Sequence, residues 1–324
     1  MSVQQVHRTS YAVDVNAPAG VVYGLIADTT QWPLFIPPSI HVERLDFDGS
    51  QDRFHMWVTA NGSVKSWLSR RVLDAPRLRI DFRQEVPPAP VVAMGGSWIV
   101  EPRGSHRSRL TLLHDFAVAA DRPADVDWTK RATDANSRAE LAQLKEAAER
   151  WTRLDGLLLS FEDSVRVNGP ADLVYRFLYG VADWPQHVPH VSRVAVTEDE
   201  PGVQLLSMDT VTADGAAHTT ESVRVCFPHA GRIVYKQTAT PALMAAHTGE
   251  WSLIPDETGV TAISQHSVLL REEAVEQVLG PGAGLDDARS YVREALGRNS
   301  TATLNLAKQY AETAIRTLRA GAPT

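Results

Sequence analysis

The amino-acid sequence repeats its own landmarks at one nearly fixed distance. Four residues return in the same order 152 or 153 positions later: Trp32 as Trp184, Arg71 as Arg224, Trp98 as Trp251 and His114 as His266. A register held over four landmarks indicates two copies of one domain rather than an array of short repeats. The chain has 324 residues, so each copy is long enough to bury its own core. We place the boundary near residues 154–156, which gives domains 1–154 and 155–324.

Composition and charge exclude several classes of protein. A net charge of −7 argues against a protein that mainly holds nucleic acid or an anionic membrane surface. The one cysteine, Cys226, excludes an internal disulfide and a thiolate metal cluster. The N-terminus lacks the pattern of a signal peptide, and no apolar run approaches the ~20 residues of a membrane span. We therefore expect a soluble, cytoplasmic protein with neither nucleic acid nor a membrane as partner.

Within each copy the pattern predicts a strand, a short helix, a series of strands and a long helix. Asn61-Gly62 lies between two alternating runs and is a strong hairpin signal. Successive strands joined by such short turns must be antiparallel. Helical periodicity then covers approximately 128–153 in the first copy and 286–318 in the second. The expected fold class is α+β: two tandem domains, each a curved antiparallel sheet wrapped around a long C-terminal helix, with a cavity between them.

Two arginines occupy the same place on the cavity face of the two predicted sheets. Strand alternation puts Ser69 and Arg71 on one face, and Ser222 and Arg224 on the corresponding face of the second copy. A guanidinium there is a fixed cation that suits a carbonyl or enolate oxygen gaining charge in a reaction. The alternative is an arginine at the open rim, solvated or paired in a salt bridge.

Two histidines also recur at one place, His114 and His266. His114 shares its strand face with apolar neighbours that point inward, so its imidazole could act as a general acid or base. The alternative, a buried and hydrogen-bonded structural histidine, is the more common outcome for such a residue.

Aromatic residues could line a slot for a flat ligand, although each alone is more often part of a core. They are Trp32, Trp67, Trp98, Trp184 and Trp251. Asn136 and Asn299 match each other near the predicted starts of the long helices, where capping is the simplest explanation. No phosphate-binding glycine loop, nucleophile elbow or metal-ligand spacing is present. An enzyme with this sequence is expected to use acid–base chemistry with no metal and no cofactor.

These motifs carry a family resemblance. Residues 16–18 before the short helix, Trp32-Pro33, the run 67–72 and Trp98 before a long helix resemble the polyketide aromatase/cyclases of bacterial type II synthases. The duplication resembles their didomain subclass. The resemblance implies the helix-grip fold shared with START and Bet v 1-like proteins. It also implies that Arg71 is central to cyclisation, whereas the match is weaker around Arg224, where Thr220 replaces the tryptophan. Ser39 stands where the family has a pocket tyrosine.

The resemblance also implies a reaction and a partner. Such proteins dehydrate and aromatise the first ring of a ketoreduced poly-β-ketone bound to acyl carrier protein, in transient contact with other type II synthase components. Arg71 and Arg224 would hold an oxygen, with Ser69 and Ser222 beside them, while His114 and His266 would move a proton. The substrate would be contacted by Trp32, Trp67, Trp98, Ser39, Asn136, Trp184 and Trp251. One rival is a non-catalytic carrier of a lipid or aromatic small molecule; another assigns all catalysis to the first copy.

Overall fold

The computed structural model describes residues 5–60, 62–211 and 217–320, which form two compact units that meet between Asp155 and Gly156. Asn61, half of the predicted hairpin signal, lies outside the described residues. Within these ranges no helix is long and apolar enough to cross a membrane.

The first unit is a seven-stranded antiparallel sheet with one long helix. Its strands are β1 (His7–Val15), β2 (Ser39–Phe47), β3 (Gln51–Ala60), β4 (Ser63–Asp74), β5 (Arg79–Gln84), β6 (Val91–Pro102) and β7 (Ser108–Val118). Its helices are α1 (Ala19–Ala27), α2 (Trp32–Phe35), α3 (Pro123–Glu149) and α4 (Leu154–Leu157), the last of which runs across the boundary. The strand order is β1-β7-β6-β5-β4-β3-β2, so β1 pairs with the last strand rather than with its sequence neighbour.

The second unit repeats this arrangement. Its strands are β8 (Leu158–Val167), β9 (Val191–Glu200), β10 (Val203–Val211), β11 (Ala217–Phe227), β12 (Arg232–Ala239), β13 (Met244–Asp256) and β14 (Gly259–Leu270). Its helices are α5 (Ala171–Tyr179), α6 (Trp184–His187), α7 (Val275–Leu279) and α8 (Leu285–Ala320). The order β8-β14-β13-β12-β11-β10-β9 matches that of the first sheet strand for strand. The expected α+β class, with two antiparallel sheets and two long helices, is confirmed.

The first long helix begins earlier than the periodicity predicts, at Pro123 rather than near 128, whereas α8 begins at Leu285, next to the predicted 286. Pro123 opens α3, because a proline in the first turn loses no helical hydrogen bond. Asn136 therefore lies in the middle of α3 with an exposed side chain, and the interpretation of it as a cap is wrong. Asn299 likewise lies well inside α8.

Each sheet packs its inner face against its long helix. Leu304, Ala307 and Ala311 are fully buried along one side of α8, at the spacing of an apolar helical stripe. In the sheet, Ile233 on β12 and Ala262 on β14 are also completely buried and belong to the same cluster. The small alanine side chains allow the helix and the sheet to approach closely.

A glycine faces each of the two repeated histidines. Gly96 pairs with His114, and Gly249 pairs with His266. A Cβ on Gly249 would overlap the phenol of Tyr235 and lie 2.7 Å from the carbonyl oxygen of Gln265. A glycine at this position therefore makes room for the aromatic ring on the neighbouring strand.

We predict that Gly249→Ala destabilises the protein by about 1–3 kcal/mol, because a methyl group would be forced into filled space. The matched control is Gly24→Ala in α1, where a Cβ would meet nothing within 4 Å. That substitution should raise the free energy of unfolding by about 0.5–1 kcal/mol through helix propensity. Urea unfolding of both variants checks the prediction, and equal stability of Gly249→Ala and wild type would contradict it.

Candidate active site

The guanidinium of Arg71 lies on the inner face of the first sheet but is held by protein groups. Its Nε donates to Asp52 Oδ1 at 3.0 Å, and Nη2 donates to Asp52 Oδ2. Nη1 donates to the carbonyl oxygen of Ile26 at 2.8 Å, and Nη2 donates to that of Ala27 at 2.7 Å. Both partners of the ion pair are nearly inaccessible to solvent. Four of the five N–H groups are thus used: two bind Asp52 on the neighbouring strand, and two bind the end of α1 to the sheet.

The guanidinium of Arg224 occupies the same place in the second sheet with a neutral partner. Register pairs Arg71 with Asp52, but it pairs Arg224 with Gln204. Nη1 of Arg224 donates to Gln204 Oε1 at 2.9 Å, and Nη2 donates to the carbonyl oxygen of Leu178. Burial lowers the pKa of Arg224. Within the described part of the chain no carboxylate forms an ion pair with this cation: Glu198 accepts a hydrogen bond from the other end of the Gln204 amide, at 2.8 Å. Two of the five N–H groups of Arg224 are used.

Arg224 faces a cavity of about 150 Å³ between the second sheet and α8. The polar residues of its wall include Ser222, Arg224, Tyr235, His247, His266 and Asn299, together with His190, His218 and further hydroxyl and amide groups. Trp184 and Trp251 contribute aromatic walls. The cavity therefore brings one buried cation, neutral donors and acceptors, and two flat apolar surfaces to one place.

A chain of hydrogen bonds runs through the two histidines of this wall. Nδ1 of His266 lies 3.1 Å from Tyr235 Oη and 3.1 Å from His247 Nε2. Nε2 of His266 lies 3.1 Å from Ser264 Oγ, and Nδ1 of His247 lies 3.0 Å from Gln237 Oε1. Burial lowers the pKa of His266 to about 4 and the pKa of His247 well below its ordinary value. Both imidazoles are therefore neutral near pH 7.

The first unit does not contain this polar chain. At the matching positions of its sheet, Tyr235, His247 and Ser264 are replaced by apolar residues: Phe82, Met94 and Leu112 respectively. His114 remains and meets the ring of Phe82 edge-on, at 5.4 Å between centroids. Its Nδ1 is buried with no hydrogen-bond partner among the described residues, and burial lowers its pKa to about 4.

The other predicted site residues are distributed between the cavity and the cores. Trp184 lines the cavity although its indole N–H donates to the carbonyl oxygen of Phe177 at 3.1 Å. In the first unit, Trp32 makes the equivalent bond to Leu25. Of the other predicted site residues in the first unit, Ser39, Ser69 and Trp98 are buried, and Trp67 is half-buried. Asn136 is exposed on α3, which places its side chain away from the interior.

The sequence analysis did not predict most of the residues around the cavity of the second unit. Six residues were not selected as part of a site: Gln204, Tyr235, Gln237, His247, Ser264 and Asn299, the last interpreted as a cap. The available signal was the difference between the copies rather than their shared landmarks. Phe82 and Met94 become Tyr235 and His247, so polar groups replace apolar ones where the landmarks place a cavity.

A family model described as "Polyketide cyclase / dehydrase and lipid transport" matches residues 6–149 and 159–312. The chain belongs to this polyketide cyclase/dehydrase family. One relative in the family is the granaticin polyketide synthase bifunctional cyclase/dehydratase of Streptomyces violaceoruber, 41% identical over 95% of each chain. Another is the actinorhodin polyketide synthase bifunctional cyclase/dehydratase of Streptomyces coelicolor, 40% identical over 92% of this chain and 95% of that protein.

Solved structures place the chain among didomain cyclases of the family. The di-domain ARO/CYC BexL from the BE-7585A biosynthetic pathway is 47% identical, with a TM-score of 0.87 over 94% of this chain and 99% of that one. StfQ, the di-domain ARO/CYC from the steffimycin pathway, is 34% identical, with a TM-score of 0.83 over 97% and 100%. The resemblance to didomain aromatase/cyclases drawn from the sequence is confirmed.

We predict that Asp52→Ala destabilises this cyclase-family protein by about 3–5 kcal/mol, because Arg71 would remain buried without its counter-charge. Asp52→Gln copies the partner that the second unit uses and should be less harmful. Denaturant unfolding of the two variants measures the difference. Equal losses would show that the charge of Asp52 is not what stabilises this site.

A second prediction concerns acid stability. Because the pKa of His266 falls from 6.5 to about 4 on burial, the unfolded chain binds more protons than the folded chain between these values. The stabilisation is fully present above pH 6.5 and is lost as the pH falls through 4. Replacing His266 by leucine should reduce the slope of the unfolding free energy in this window by up to about 1.4 kcal/mol per pH unit. Urea unfolding at several pH values tests this, and an unchanged slope would contradict it.

Proposed function

We propose that this protein is an aromatase/cyclase that dehydrates and aromatises the first ring of a ketoreduced poly-β-ketone carried on acyl carrier protein. We further propose that the reaction takes place in the cavity of the second unit. The observation that carries the proposal is the state of Arg224, a buried guanidinium without a carboxylate partner at a cavity wall. The names of the relatives support the reaction class.

Arg224 would stabilise the negative charge that collects on a substrate carbonyl oxygen as an enolate forms. Its unused N–H groups can be donated to that oxygen without first breaking an ion pair. In a site with little water, a preorganised donor of this kind accelerates a reaction by roughly 10²–10³-fold. Arg71 is a poorer candidate, because a guest would have to compete with Asp52 and two backbone carbonyls.

The size of the cavity fits one ring rather than a whole polyketide chain. A cavity of about 150 Å³ is comparable to one that encloses a benzene molecule. We propose that the reacting six carbons enter between Trp184 and Trp251, while the rest of the chain extends toward the carrier protein. Holding the chain in one bent conformer supplies the entropic part of catalysis. Exclusion of water would protect it from other ring closures.

In this proposal the first unit supports the second rather than repeating its chemistry. Its arginine is neutralised by Asp52, and Phe82 and Met94 replace the polar groups that the second wall carries. A carrier without activity would need a cavity but would not require two coupled imidazoles at its wall. The polar chain of the second unit therefore favours the enzyme over the carrier.

The test is reconstitution with a minimal type II synthase, its ketoreductase and acyl carrier protein, followed by detection of the first-ring aromatic product.

We predict that Arg224→Met lowers product formation by about 10²–10³-fold, because an oxyanion donor is lost. The matched control is the double variant Asp52→Leu with Arg71→Met, which removes the buried pair of the first unit as a whole. It should retain near wild-type activity. If the double variant folds and loses the product while Arg224→Met keeps it, the active cavity lies in the first unit.

A further inference from the structure

His266 lines the cavity of the second unit, yet neither of its ring nitrogens is available to a guest. Nε2 is engaged by Ser264, whose side chain is completely buried. Nδ1 is within hydrogen-bond distance of Tyr235 and His247. A proton that reaches or leaves a bound substrate in this part of the wall must therefore pass through a neighbour of His266.

The hydrogen-bond chain determines which atoms carry protons. The side-chain oxygen of Gln237 lies 3.0 Å from Nδ1 of His247, and on this contact we assign the hydrogen to that nitrogen. A neutral His247 then offers only a lone pair at Nε2. Nδ1 of His266 must be the donor to it, which leaves Nε2 of His266 as the acceptor for the hydroxyl of Ser264.

In this arrangement Tyr235 receives rather than donates within the protein. Its Oη lies 3.1 Å from Nδ1 of His266, whose single hydrogen it shares with Nε2 of His247, and no other hydrogen bond to this oxygen occurs within the described ranges. The phenolic hydrogen is therefore available to an acceptor in the cavity. Gly249 leaves the space that this phenol occupies. Burial raises the pKa of Tyr235, which keeps the phenol protonated at neutral pH.

We propose that Tyr235 is the proton donor to the hydroxyl that leaves as water, and that His266 and His247 are positioning residues behind it. This inference rests on the proposed dehydration at the same site. The N–H of His266 would stabilise the phenolate oxygen that forms when the proton is given away, and His247 with Gln237 would hold His266 in the required tautomer.

The step balances in protons and electrons. A carbon next to the carbonyl held by Arg224 loses a proton to a water molecule at the mouth of the cavity, which passes it to solvent, and the electron pair remains as an enolate. That pair then forms the new carbon–carbon double bond. The adjacent C–O bond breaks with its electrons on oxygen, which takes the hydrogen of Tyr235 and leaves as water. The phenolate is reprotonated from solvent, so the enzyme returns to its starting state.

The chain offers a well-matched test, because Phe82 already occupies the equivalent position in the first unit. Tyr235→Phe should fold normally and lower the rate of the aromatic product by about 10²–10⁴-fold, the range for loss of a general acid. A cyclised product heavier by one water should accumulate instead. Phe82→Tyr serves as the control and should leave the rate unchanged. Tyr235→Phe with wild-type rate and product would overturn the inference.

The positioning role is tested by His266→Asn, which keeps a donor near the place of Nδ1, against His266→Leu, which keeps none. The asparagine variant should recover part of kcat that the leucine variant loses, with KM nearly equal in both. His247→Met copies Met94 of the first unit and should also lower kcat alone. Equal losses in the two His266 variants would reject the positioning role. Absence of any first-ring product with wild type would instead reject the proposed function, so the two failures are distinguishable.

Discussion

The structure of each unit depends on how the guanidinium of a buried arginine is supplied with hydrogen-bond acceptors. An arginine cannot give up its proton, so a buried one must be surrounded by acceptors or it destabilises the fold. Arg71 and Arg224 are two such residues at equivalent positions of the two sheets, and each has a different set of acceptors. Around Arg71 a carboxylate and two backbone carbonyls supply the acceptors, whereas Arg224 receives an amide oxygen and one carbonyl. The first arrangement uses four of the five N–H groups of the cation, whereas the second uses two and leaves three for a guest.

The core of the second unit is independent of the arrangement around Arg224. An under-satisfied buried cation costs folding free energy, and strained or incompletely satisfied groups persist where the surrounding structure is stable enough to hold them. In the second unit, Ile233, Ala262 and Leu304 belong to a core that does not depend on Arg224 for its apolar contacts. The first unit retains the same architecture with its arginine neutralised. A single chain thus contains both the stable arrangement and the one that can bind an oxygen.

The sequence alone predicts the features of the structure that depend on the order and spacing of residues along the chain. The repeat, the antiparallel strands and the inward placement of Arg71 and Arg224 all follow from spacing. The partners of the arginines do not, because Asp52 and Gln204 lie on the neighbouring strand and meet them only through the register of pairing. The interpretation of Asn136 as a cap was wrong, because α3 begins at Pro123, well before residue 136, and a proline in the first turn needs no hydrogen bond there.

The need to keep Arg224 available to a guest also explains why the groups around it are uncharged. A carboxylate within reach of Arg224 would re-create the ion pair of Arg71 and Asp52, and the cation would no longer be available to a carbonyl oxygen. A second cation would repel it, since charges interact strongly where water is scarce. The groups that can surround a reactive guanidinium are therefore uncharged donors and acceptors. Gln204 beside the arginine and the neutral imidazoles of His247 and His266, farther along the same sheet, meet that requirement. Proton transfer in such a wall has to be carried out by a group that is neutral before it acts, and a phenol satisfies this condition.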